Sequence, residues 1–381
     1  MGSRIIAPAA RQQLPTFSKV VIENSAVGSL IAENVIQSLP EAEIEIIENA
    51  QEFLKGVGKG HAHEKKDILL IYPHKGSFIH ACPGSDGMLC CNYFIINTGV
   101  NCSYDCEYCY LQSYLNTSVI TLFSNTDEMM NQILKKVNSK PKYHWRIGTG
   151  EYTDSLALEH LTGLGKFLIT EFAKIPNATL ELKTKSNNVD SLLNLNHNGH
   201  TVISWTMSPS FIAETVERKT ASIDLRLEAA KAVQQAGYSV AIHFDPIIYY
   251  TEWEKDYKNL VDRIFTELNP KQIRWISLGT FRHSAGFKKI LRDRFPDEFL
   301  TRAEMFPSDD GKMRYFAPLR AEMYRKMKSW IDKADASQFT YLCMETKQIW
   351  QEVYGKIPLH SSELDSGFEQ RRLELENHYV S

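Results

Sequence analysis

Short apolar runs alternate with longer amphipathic segments between residues 93 and 278. Apolar runs of about four to eight residues are typical of buried strands, and apolar positions that recur every three or four residues indicate helices. Six strands are predicted in this way, at residues 93–97, 145–149, 179–185, 201–207, 238–248 and 273–278. Strands that alternate with helices favour a parallel sheet, and six such units predict a partial (β/α)6 barrel whose chemistry lies at the carboxyl ends of its strands.

The segments on either side of this region follow other patterns. Strands are predicted at residues 19–23, 43–48 and 68–72, and a helix at 29–39 that Pro40 ends. They predict a small α/β domain over residues 1–90, and without a G-x-G-x-x-G motif we assign it no nucleotide. The barrel then occupies residues 91–280. Residues 281–381 form a C-terminal extension with a strand and a helix predicted within 339–354, and its charged tail from about residue 361 is expected to lie on the surface.

Composition limits the class of protein. Of 381 residues, 43% are hydrophobic and 23% are charged, as in ordinary globular chains, and no apolar run approaches the roughly 18 residues of a membrane span. The first residues, M-G-S-R-I-I-A-P-A-A-R, lack the continuous apolar core of a secretion signal. Seven cysteines, an odd number with three close together, indicate a reducing cytoplasm. The net charge of −3 gives no general attraction to nucleic acid, so any such affinity needs a local patch.

Three cysteines follow the first predicted barrel strand closely. Cys102, Cys106 and Cys109 have the spacing C-x3-C-x2-C, so their thiolates can converge on one metal centre. A four-iron cluster held by three thiolates leaves one iron open, and that iron can chelate the amino and carboxylate groups of S-adenosylmethionine (SAM). The alternatives are a zinc site or three buried thiols. Zinc needs a fourth ligand, and Cys90 and Cys91 upstream leave that alternative open.

The turn after the second predicted strand reads G-T-G-E-Y-T-D-S, residues 148–155. Its glycines, Gly148 and Gly150, let the backbone approach a ligand closely, and Glu151 can accept a hydrogen bond from an ammonium group such as the SAM amine. The alternative is a glycine turn that leads into a helix, with Asp154 complementing the helix dipole. Opposite an open iron, the ligand interpretation is favoured.

Other strand ends add candidate ligands. Lys185 ends the third strand and suits the SAM carboxylate or a phosphate, and Thr206 near the end of the fourth can hydrogen-bond the SAM ribose or carboxylate. Each taken alone is more often an ordinary surface lysine or strand threonine. His243 and Asp245 lie on one face of the fifth strand, where they either bind substrate or form a buried hydrogen-bonded pair.

The remaining cysteines and the basic C-terminal segments each have two interpretations. Cys82, Cys90 and Cys91 read as small buried side chains, since a second cluster lacks a fourth ligand nearby, and Cys343 is either core or a thiol hydrogen donor. The C-terminal extension is basic over residues 281–295 and 312–328, with interleaved aromatic residues. This pattern is that of a solvated face or of a surface that binds nucleic acid. The candidate substrate-binding residues there are Arg282, Lys312 and Arg314.

Over nearly its whole length the chain resembles the spore photoproduct lyase family of radical SAM enzymes. The resemblance rests on the following segments: C-S-Y-D-C-E-Y-C-Y-L-Q (102–112), D-S-L-A-L-E-H-L-T (154–162), L-K-T-K (182–185), N-H-N-G-H-T (196–201), R-L-E-A-A-K-A-V-Q-Q-A-G-Y (226–238) and D-P-I-I-Y-Y-T-E-W-E-K-D-Y (245–257). It implies a 4Fe–4S cluster, SAM, and a reducing partner such as flavodoxin or ferredoxin.

The resemblance also implies an activity. In the family, SAM is cleaved to methionine and a 5′-deoxyadenosyl radical, which takes hydrogen from the methylene bridge of a 5-thyminyl-5,6-dihydrothymine lesion in DNA. The lesion then splits into two thymines, and a cysteine returns a hydrogen atom. By position, Cys102, Cys106 and Cys109 would ligate the cluster. Residues at SAM-contacting positions are Tyr108, Thr153, Lys185 and Thr206, and Tyr110 would face substrate or relay hydrogen.

One departure from the family pattern concerns the hydrogen donor. The position of the donor cysteine, just before the second barrel helix, holds Glu151 here. A carboxylic acid cannot replace a thiol in this role because its O–H bond is far stronger. Another thiol, such as Cys343, Cys90 or Cys91, would then donate, or the reaction differs. Glu151 in G-T-G-E instead resembles the Gly-Gly-Glu motif that holds the SAM amine in many radical SAM enzymes, which suggests a sister branch of the family.

The leading hypothesis is therefore a cytoplasmic radical SAM lyase that repairs a thymine photoproduct in DNA. One alternative is a radical SAM enzyme that takes hydrogen from another substrate, such as a nucleotide, a peptide or a small metabolite. Another is a non-catalytic, metal-dependent nucleic-acid-binding protein.

Overall fold

The computed structural model describes residues 14–57, 66–85, 87–115, 117–358 and 361–379. Residues 1–13, in which a secretion signal would begin, and residues 58–65 of the predicted N-terminal domain lie outside these ranges. Within the described ranges, every helix is too short or too polar to cross a membrane.

Strands and helices alternate along most of the described chain. The strands are β1 (Lys19–Glu23), β2 (Glu43–Ile47), β3 (Ile68–Tyr72), β4 (Ile79–Ala81), β5 (Phe94–Ile96), β6 (Gly99–Val100), β7 (Asp105–Cys106), β8 (Ile120–Phe123), β9 (Trp145–Thr149), β10 (Ala178–Thr184), β11 (Thr201–Thr206), β12 (Glu217–Arg218), β13 (Ser239–Ile247), β14 (Ile273–Thr280), β15 (Arg282–Ser284), β16 (Met305–Pro307), β17 (Lys312–Tyr315) and β18 (Thr340–Leu342). The helices are α1 (Leu30–Ser38), α2 (Ala50–Val57), α3 (Leu111–Tyr114), α4 (Thr126–Asn138), α5 (Glu159–Thr162), α6 (Leu164–Phe172), α7 (Ser210–Thr215), α8 (Ile223–Gln235), α9 (Trp253–Glu267), α10 (Phe287–Arg294), α11 (Ala317–Ala334), α12 (Lys347–Tyr354) and α13 (Ser361–Tyr379).

The central sheet curls into the predicted partial barrel. Its strand order is β18-β14-β13-β11-β10-β9-β5-β4, and all neighbours are parallel except the pair β4 and β5. The six predicted strands are confirmed as β5, β9, β10, β11, β13 and β14. One strand is added at each edge, β18 beside β14 and the antiparallel β4 beside β5. Because the other strands run parallel, their carboxyl ends meet at one edge of the barrel.

A second sheet, of five strands, has the order β2-β1-β3-β8-β6. The predicted strands β1, β2 and β3 and the helix α1 are confirmed here, whereas α2 and β8 were not predicted. β8 lies between the cysteine loop and α4, yet it pairs in parallel with β3, Leu70 beside Thr121. Strands from both sides of the expected boundary at residue 90 therefore share this sheet, and its edge strand β6 leads directly into the cysteine loop.

Residues in parallel register place their side chains on the same side of the sheet. The side that faces the barrel interior carries many polar groups. Near the amino ends of the strands it contains Arg146, Thr179 and Trp275, at mid-height Glu181, Ser204, His243, Ser277 and Tyr341, and near the carboxyl ends Lys183, Thr206, Asp245 and Cys343. Leucines at the alternate positions of β10, such as Leu180 and Leu182, pack in the main apolar core. The alternation reflects a sheet covered by helices on the outside and enclosing polar groups within.

The C-terminal tail is not a surface segment, so that expectation is wrong. α13 closes the amino-terminal end of the barrel, and the ring of Phe368 meets those of Trp275 and Tyr341 edge to face, with centroids 5.6 and 5.0 Å apart. The Arg146 guanidinium lies 3.4 Å from the centroid of the Phe368 ring. The buried positions of the helix, Leu364, Phe368, Arg371 and Leu375, recur every three or four residues, which gives a stripe inside a charged sequence.

Phe368→Ala is expected to lower the free energy of unfolding by about 3 kcal/mol or more, because the side chain is buried and leaves a cavity. The matched control is Leu373→Ala on the same helix, where the leucine is 46% exposed and a change within about 0.5 kcal/mol is expected. Both are measured by chemical denaturation. Equal, small effects of the two substitutions would contradict the packing of α13 against the barrel.

Candidate active site

The cysteine loop follows β5 and β6 and is held on several sides. Asn101 begins it in the left-handed conformation (φ 73°), which asparagine tolerates, and its side-chain oxygen accepts a hydrogen bond from the Cys102 N–H at 2.8 Å. β7 pairs with β12, so that Cys106 lies opposite Glu217. The Gln112 amide donates to the carbonyls of Cys106 (3.0 Å) and Glu107 (2.8 Å). These bonds fix the backbone that carries the three thiols.

Cys102, Cys106 and Cys109 line one shallow cavity, together with Lys66, Asp105 and Arg294. Among the described residues, no three His, Cys, Asp or Glu side chains are placed to hold a single metal ion. Three thiols that face one cavity, but are not placed to hold a single ion, fit a cluster better than zinc. Cys90 and Cys91 do not line the cavity and so supply no fourth ligand to it.

Cys106 is buried, Cys102 and Cys109 are partly buried, and none of the three forms a disulfide. Burial raises the pKa of Cys102 to about 12, and the nearby Asp154 carboxylate adds to the shift. Burial likewise raises the pKa of Cys106 and of Cys109. Such thiols stay protonated without a metal, and metal binding would deprotonate them outright.

Glu151 lies beside the cysteine loop. The Tyr110 hydroxyl donates to the Glu151 backbone carbonyl at 2.7 Å and is 3.1 Å from its carboxylate. Gly150 has φ +96°, and a Cβ there would come within 3.0 Å of the Lys183 carbonyl oxygen. At Gly148 a Cβ would meet the Tyr93 hydroxyl and the Glu181 carbonyl. Glycine is therefore required at both positions by contacts within the chain itself, whether or not a ligand approaches.

Asp154 ties the turn to the end of β10. Its carboxylate accepts from the N–H groups of Leu156 (3.0 Å), Ala157 (2.9 Å) and Lys185 (2.8 Å) and from the Thr184 hydroxyl (2.6 Å). The first two bonds cap the segment that follows, as the alternative interpretation of this acid expected. Thr153 lies half-buried in the same turn. The turn is thus a rigid support between two strand ends.

A buried ionic network lies behind the cluster loop. The Tyr108 hydroxyl donates to the Glu217 carboxylate, which also accepts from Ser208 at 2.9 Å. Arg226 pairs with Glu217 at 2.7 Å, and both side chains are fully buried. Burial opposes ionisation of Glu217, but Arg226 and Lys185 outweigh it and lower its pKa.

Lys185 belongs to the same network, with its ammonium group 5.5 Å from the centroid of the Tyr108 ring. Burial would lower its pKa, but the nearby Glu217 carboxylate helps to raise it, so the side chain remains a cation. It thus lies beside the loop, as its predicted role requires.

The Thr206 hydroxyl is 99% buried at the carboxyl end of β11 and finds no hydrogen-bond partner among the described residues. Its carbonyl is already used, accepting from Arg226 at 2.9 Å. Buried hydroxyls are normally paired, so an unpaired one at a strand end is a place for a ligand atom. This observation fits the predicted contact with SAM.

His243 lies inside the barrel, where it bonds Glu181 rather than Asp245. The His243 Nε2 to Glu181 Oε1 distance is 2.7 Å, and Ser204 donates to the same oxygen at 2.7 Å. Burial alone would raise the pKa of Glu181, but His243 and Ser204 lower it to about 2. His243 is only 5% exposed, so the structure matches the buried-pair alternative, with a different partner.

Asp245, Arg282 and Cys343 meet at the mouth of the barrel. Arg282 pairs with Asp245 at 3.2 Å, and its second terminal nitrogen is 3.8 Å from the Cys343 sulfur. The Asp245 carboxylate and the Cys343 thiol lie close enough that each shifts the pKa of the other. Burial, followed by the Asp245 charge, raises the pKa of Cys343 well above its usual range, so the thiol keeps its hydrogen.

The other predicted basic ligands differ in accessibility. Lys312 is half-buried and donates to Ser85 at 2.6 Å. Arg314 is 1% exposed and forms a two-bond pair with Asp310, so its charge is used within the β16–β17 hairpin. Arg282 and Lys312 therefore lie at the mouth, whereas Arg314 faces inward.

An aromatic row at the mouth was missed from sequence. Ring centroids of Tyr110 and Tyr114 are 6.1 Å apart, those of Tyr114 and Tyr152 are 5.9 Å apart and stacked, and His80 follows at 6.1 Å. Tyr110 is 43% and Tyr114 60% exposed. The only signal was the tyrosines in Y-C-Y-L-Q-S-Y and E-Y-T. Glu217 and Arg226 were also missed, because in the sequence they look like ordinary solvent-exposed charged residues.

Comparisons with known proteins identify relatives of this chain. A family model described as "Spore photoproduct lyase" matches residues 89–332. Spore photoproduct lyase of Bacillus subtilis (strain 168) is 27% identical over 226 residues, 58% of this chain and 64% of the relative's length. The protein of the same name from Clostridium acetobutylicum is 23% identical over 305 residues, 78% of this chain and 87% of the relative. The chain thus matches less than two thirds of the length of the Bacillus protein.

Solved structures support the fold. A spore photoproduct lyase variant with dinucleoside spore photoproduct has a TM-score of 0.77 at 21% identity, covering 87% of this chain and all of that one. A second variant, with bound AdoMet and the same dinucleoside, has a TM-score of 0.75 at 20% identity over 87% of this chain and all of that chain. The overall fold of most of this chain is thus shared with these proteins.

Arg226→Met is expected to lower the free energy of unfolding by about 3–5 kcal/mol, because it leaves the Glu217 carboxylate buried and unpaired. Adding Glu217→Gln should recover at least about 1 kcal/mol, since the two residues are coupled. The control Arg263→Met, whose partners Asp224 and Glu267 are solvent-exposed, should change stability by no more than about 1 kcal/mol. Denaturation that shows equal losses for Arg226→Met and Arg263→Met would contradict the network.

Proposed function

The chain belongs to the spore photoproduct lyase family of radical SAM enzymes, and we propose that it cleaves SAM to repair a thymine photoproduct in DNA. The observation that carries the proposal is the loop with Cys102, Cys106 and Cys109 around one cavity, at the carboxyl edge of a curled parallel sheet. The unpaired Thr206 hydroxyl at the same edge supports a ligand there.

The three cysteines would hold a 4Fe–4S cluster. Bound there, the cluster would supply the electron that cleaves SAM into methionine and a 5′-deoxyadenosyl radical. The Gln112 bonds and the β7–β12 pairing keep the loop backbone in place without a metal. With all seven cysteines free and no membrane-spanning helix among the described residues, the reducing cytoplasm is the compartment in which we expect it to work.

The side chains beside the loop would orient SAM. Lys185 stays cationic and suits the SAM carboxylate, and the Thr206 hydroxyl has free hydrogen-bonding capacity. Glu151 would accept the SAM amine, with Tyr110 already fixing its position. Tyr108, Gly150 and Thr153 complete this wall of the site.

The mouth of the barrel would bind the lesion. Arg282 and Lys312 lie there as cations that suit phosphates, and the exposed rings of Tyr110 and Tyr114 offer faces on which bases stack. Spore photoproduct lyases have been solved with dinucleoside spore photoproduct, which is the chemistry this mouth suits. Buried His243 and Arg314 are left as structural residues in this proposal.

Glu151 at the position of the family's donor cysteine favours one alternative. A radical SAM enzyme that takes hydrogen from another substrate, such as a nucleotide, a peptide or a small metabolite, would not need a thiol there. The two functions differ in whether a DNA lesion is consumed while SAM is cleaved.

Protein reconstituted anaerobically with iron and sulfide, reduced with dithionite and given SAM with an oligonucleotide that carries the spore lesion is expected to form 5′-deoxyadenosine and two thymines. Cys106→Ala should abolish both products, because one thiolate is lost from the cavity. Cys90→Ala, outside the cavity, is the control and should keep both. The products are measured by liquid chromatography and mass spectrometry.

The two possible failures of that experiment have different meanings. No 5′-deoxyadenosine under any reducing condition would contradict the radical SAM activity of this chain. SAM cleavage without thymine release would contradict lesion repair and favour the alternative substrate.

We assign the hydrogen-donor role to Cys343. The thiol lies at the mouth, held by Asp245 and Arg282, and keeps its hydrogen at neutral pH. In the donor step its S–H bond breaks and a C–H bond forms on the thymine radical, leaving a thiyl radical. One electron and one proton from the external reductant then restore the thiol.

Cys343→Ala is expected to leave SAM cleavage and lesion consumption intact but to lower the thymine yield several-fold, with new products in which the radical is quenched by solvent or reductant. Cys343→Ser should behave alike, because its O–H bond is too strong to donate. Cys91→Ala, a neighbouring thiol, is the control. Unchanged thymine yield and unchanged by-products in Cys343→Ala, measured by mass spectrometry, would remove Cys343 from this role.

A further inference from the structure

The cavity of the three cysteines is bordered by basic residues from separate parts of the chain. Lys66 and Arg294 line it directly. Arg218 and Lys219 follow in and after β12, which pairs with the cluster strand β7. We call the exposed cations around this cavity the cluster-side basic face, defined as Arg218, Lys219, Lys288, Lys289 and Arg292.

Helix α10 carries three of these cations, Lys288, Lys289 and Arg292, and its last residue reaches the cavity. Its last residue, Arg294, pairs with Asp105 at 2.9 Å and donates to Gln112, so the end of the helix is fixed to the cysteine loop. Lys289 and Arg292 lie within about two turns of Arg294, or roughly 10 Å along the axis. α10 therefore borders the proposed cluster directly.

The helix separates its apolar and charged side chains. Phe287 and Leu291 are buried, which anchors α10, whereas Lys288, Lys289 and Arg292 are exposed at spacings that share one face. No ion pair among the described residues involves Lys288 or Lys289, and Arg292 is 51% exposed beside Glu298. The exposed acids nearby are Asp293 and Asp297, so cations predominate.

β12 continues the same surface. The Arg218 side chain is 49% exposed and pairs with Glu107 at 2.6 Å, and its guanidinium lies 4.9 Å from the centroid of the Phe295 ring. Arg294 lies 4.6 Å from the centroid of the same ring. Phe295 thus joins the end of α10 to β12, and the cations form one patch in a chain whose net charge is −3.

We propose that the cluster-side basic face docks an acidic one-electron carrier protein of low potential, with the chemistry of a reduced flavodoxin or ferredoxin. This inference rests on the proposed function, since each SAM cleavage consumes one electron from outside the chain. The carrier is oxidised by one electron, and the bond between the SAM sulfur and C5′ is the one that breaks. Docking at this face places the carrier beside the cysteines, and electron transfer falls steeply with distance.

The same charges could instead contact DNA, but the position of the face favours the carrier. Arg282 and Lys312, which we assign to the lesion, lie at the barrel mouth beside Asp245 and Ser85. The cluster-side basic face borders the cysteine cavity through Arg294 and β12. Opposite charges across such an interface chiefly speed encounter and set partner choice.

The test uses the double variant Lys288→Glu/Lys289→Glu and the control Lys231→Glu/Lys271→Glu, which makes the same charge change at exposed positions on α8 and before β14. Affinity for oxidised flavodoxin is measured by calorimetry at low salt on protein without a cluster, so that this readout needs no turnover. The first variant should bind roughly tenfold or more weakly than wild type, and the control should not. Raising the ionic strength should weaken wild-type binding.

Turnover provides the second readout. With flavodoxin as reductant, SAM cleavage by Lys288→Glu/Lys289→Glu should slow roughly tenfold, whereas dithionite, a small reductant, should support the wild-type rate. Unchanged flavodoxin affinity in this variant would overturn the proposal, as would a loss of affinity for DNA alone. If dithionite cleaves no SAM with any protein, the proposed function fails, and the flavodoxin affinities still decide whether the face docks the carrier.

Discussion

Parallel pairing of the barrel strands determines where every group of the site lies. Because β5, β9, β10, β11, β13, β14 and β18 run in the same direction, their carboxyl ends meet at one edge. The cysteine loop, the Glu151 turn, Lys185, Thr206, Asp245 and Cys343 all come from that edge. Residues far apart in sequence are thus brought together by backbone geometry, before any specific side-chain contact is made.

Buried charge is the second constraint. The interior of the barrel holds Glu181 with His243, and the wall behind the cluster loop holds Glu217 with Arg226. Such pairs add little stability compared with apolar residues, but they tolerate no loss of one partner. The Glu217–Arg226 pair holds Tyr108 and Lys185 beside the loop, which is a reason for the chain to keep this pair. The walls of the site are therefore built on charged pairs that are buried.

Local patterns in the sequence predicted much of the fold and part of the candidate site. The six barrel strands and the cysteine motif depend on short-range alternation and spacing, which a single sequence displays directly. β8 could not be placed, because its partner β3 lies about fifty residues earlier, and the stripe of α13 was hidden among charged residues. His243 pairs with Glu181, 62 residues away, rather than with nearby Asp245. Such choices depend on strand order and register, which local patterns do not reveal.

The central claim is that a radical formed beside Cys102, Cys106 and Cys109 takes hydrogen from the methylene bridge of a DNA lesion. The most direct measurement supplies a lesion with deuterium on that methylene and determines the mass of the 5′-deoxyadenosine produced. Deuterium in 5′-deoxyadenosine is the predicted result. Unlabelled 5′-deoxyadenosine formed while the lesion remains intact would contradict the claim.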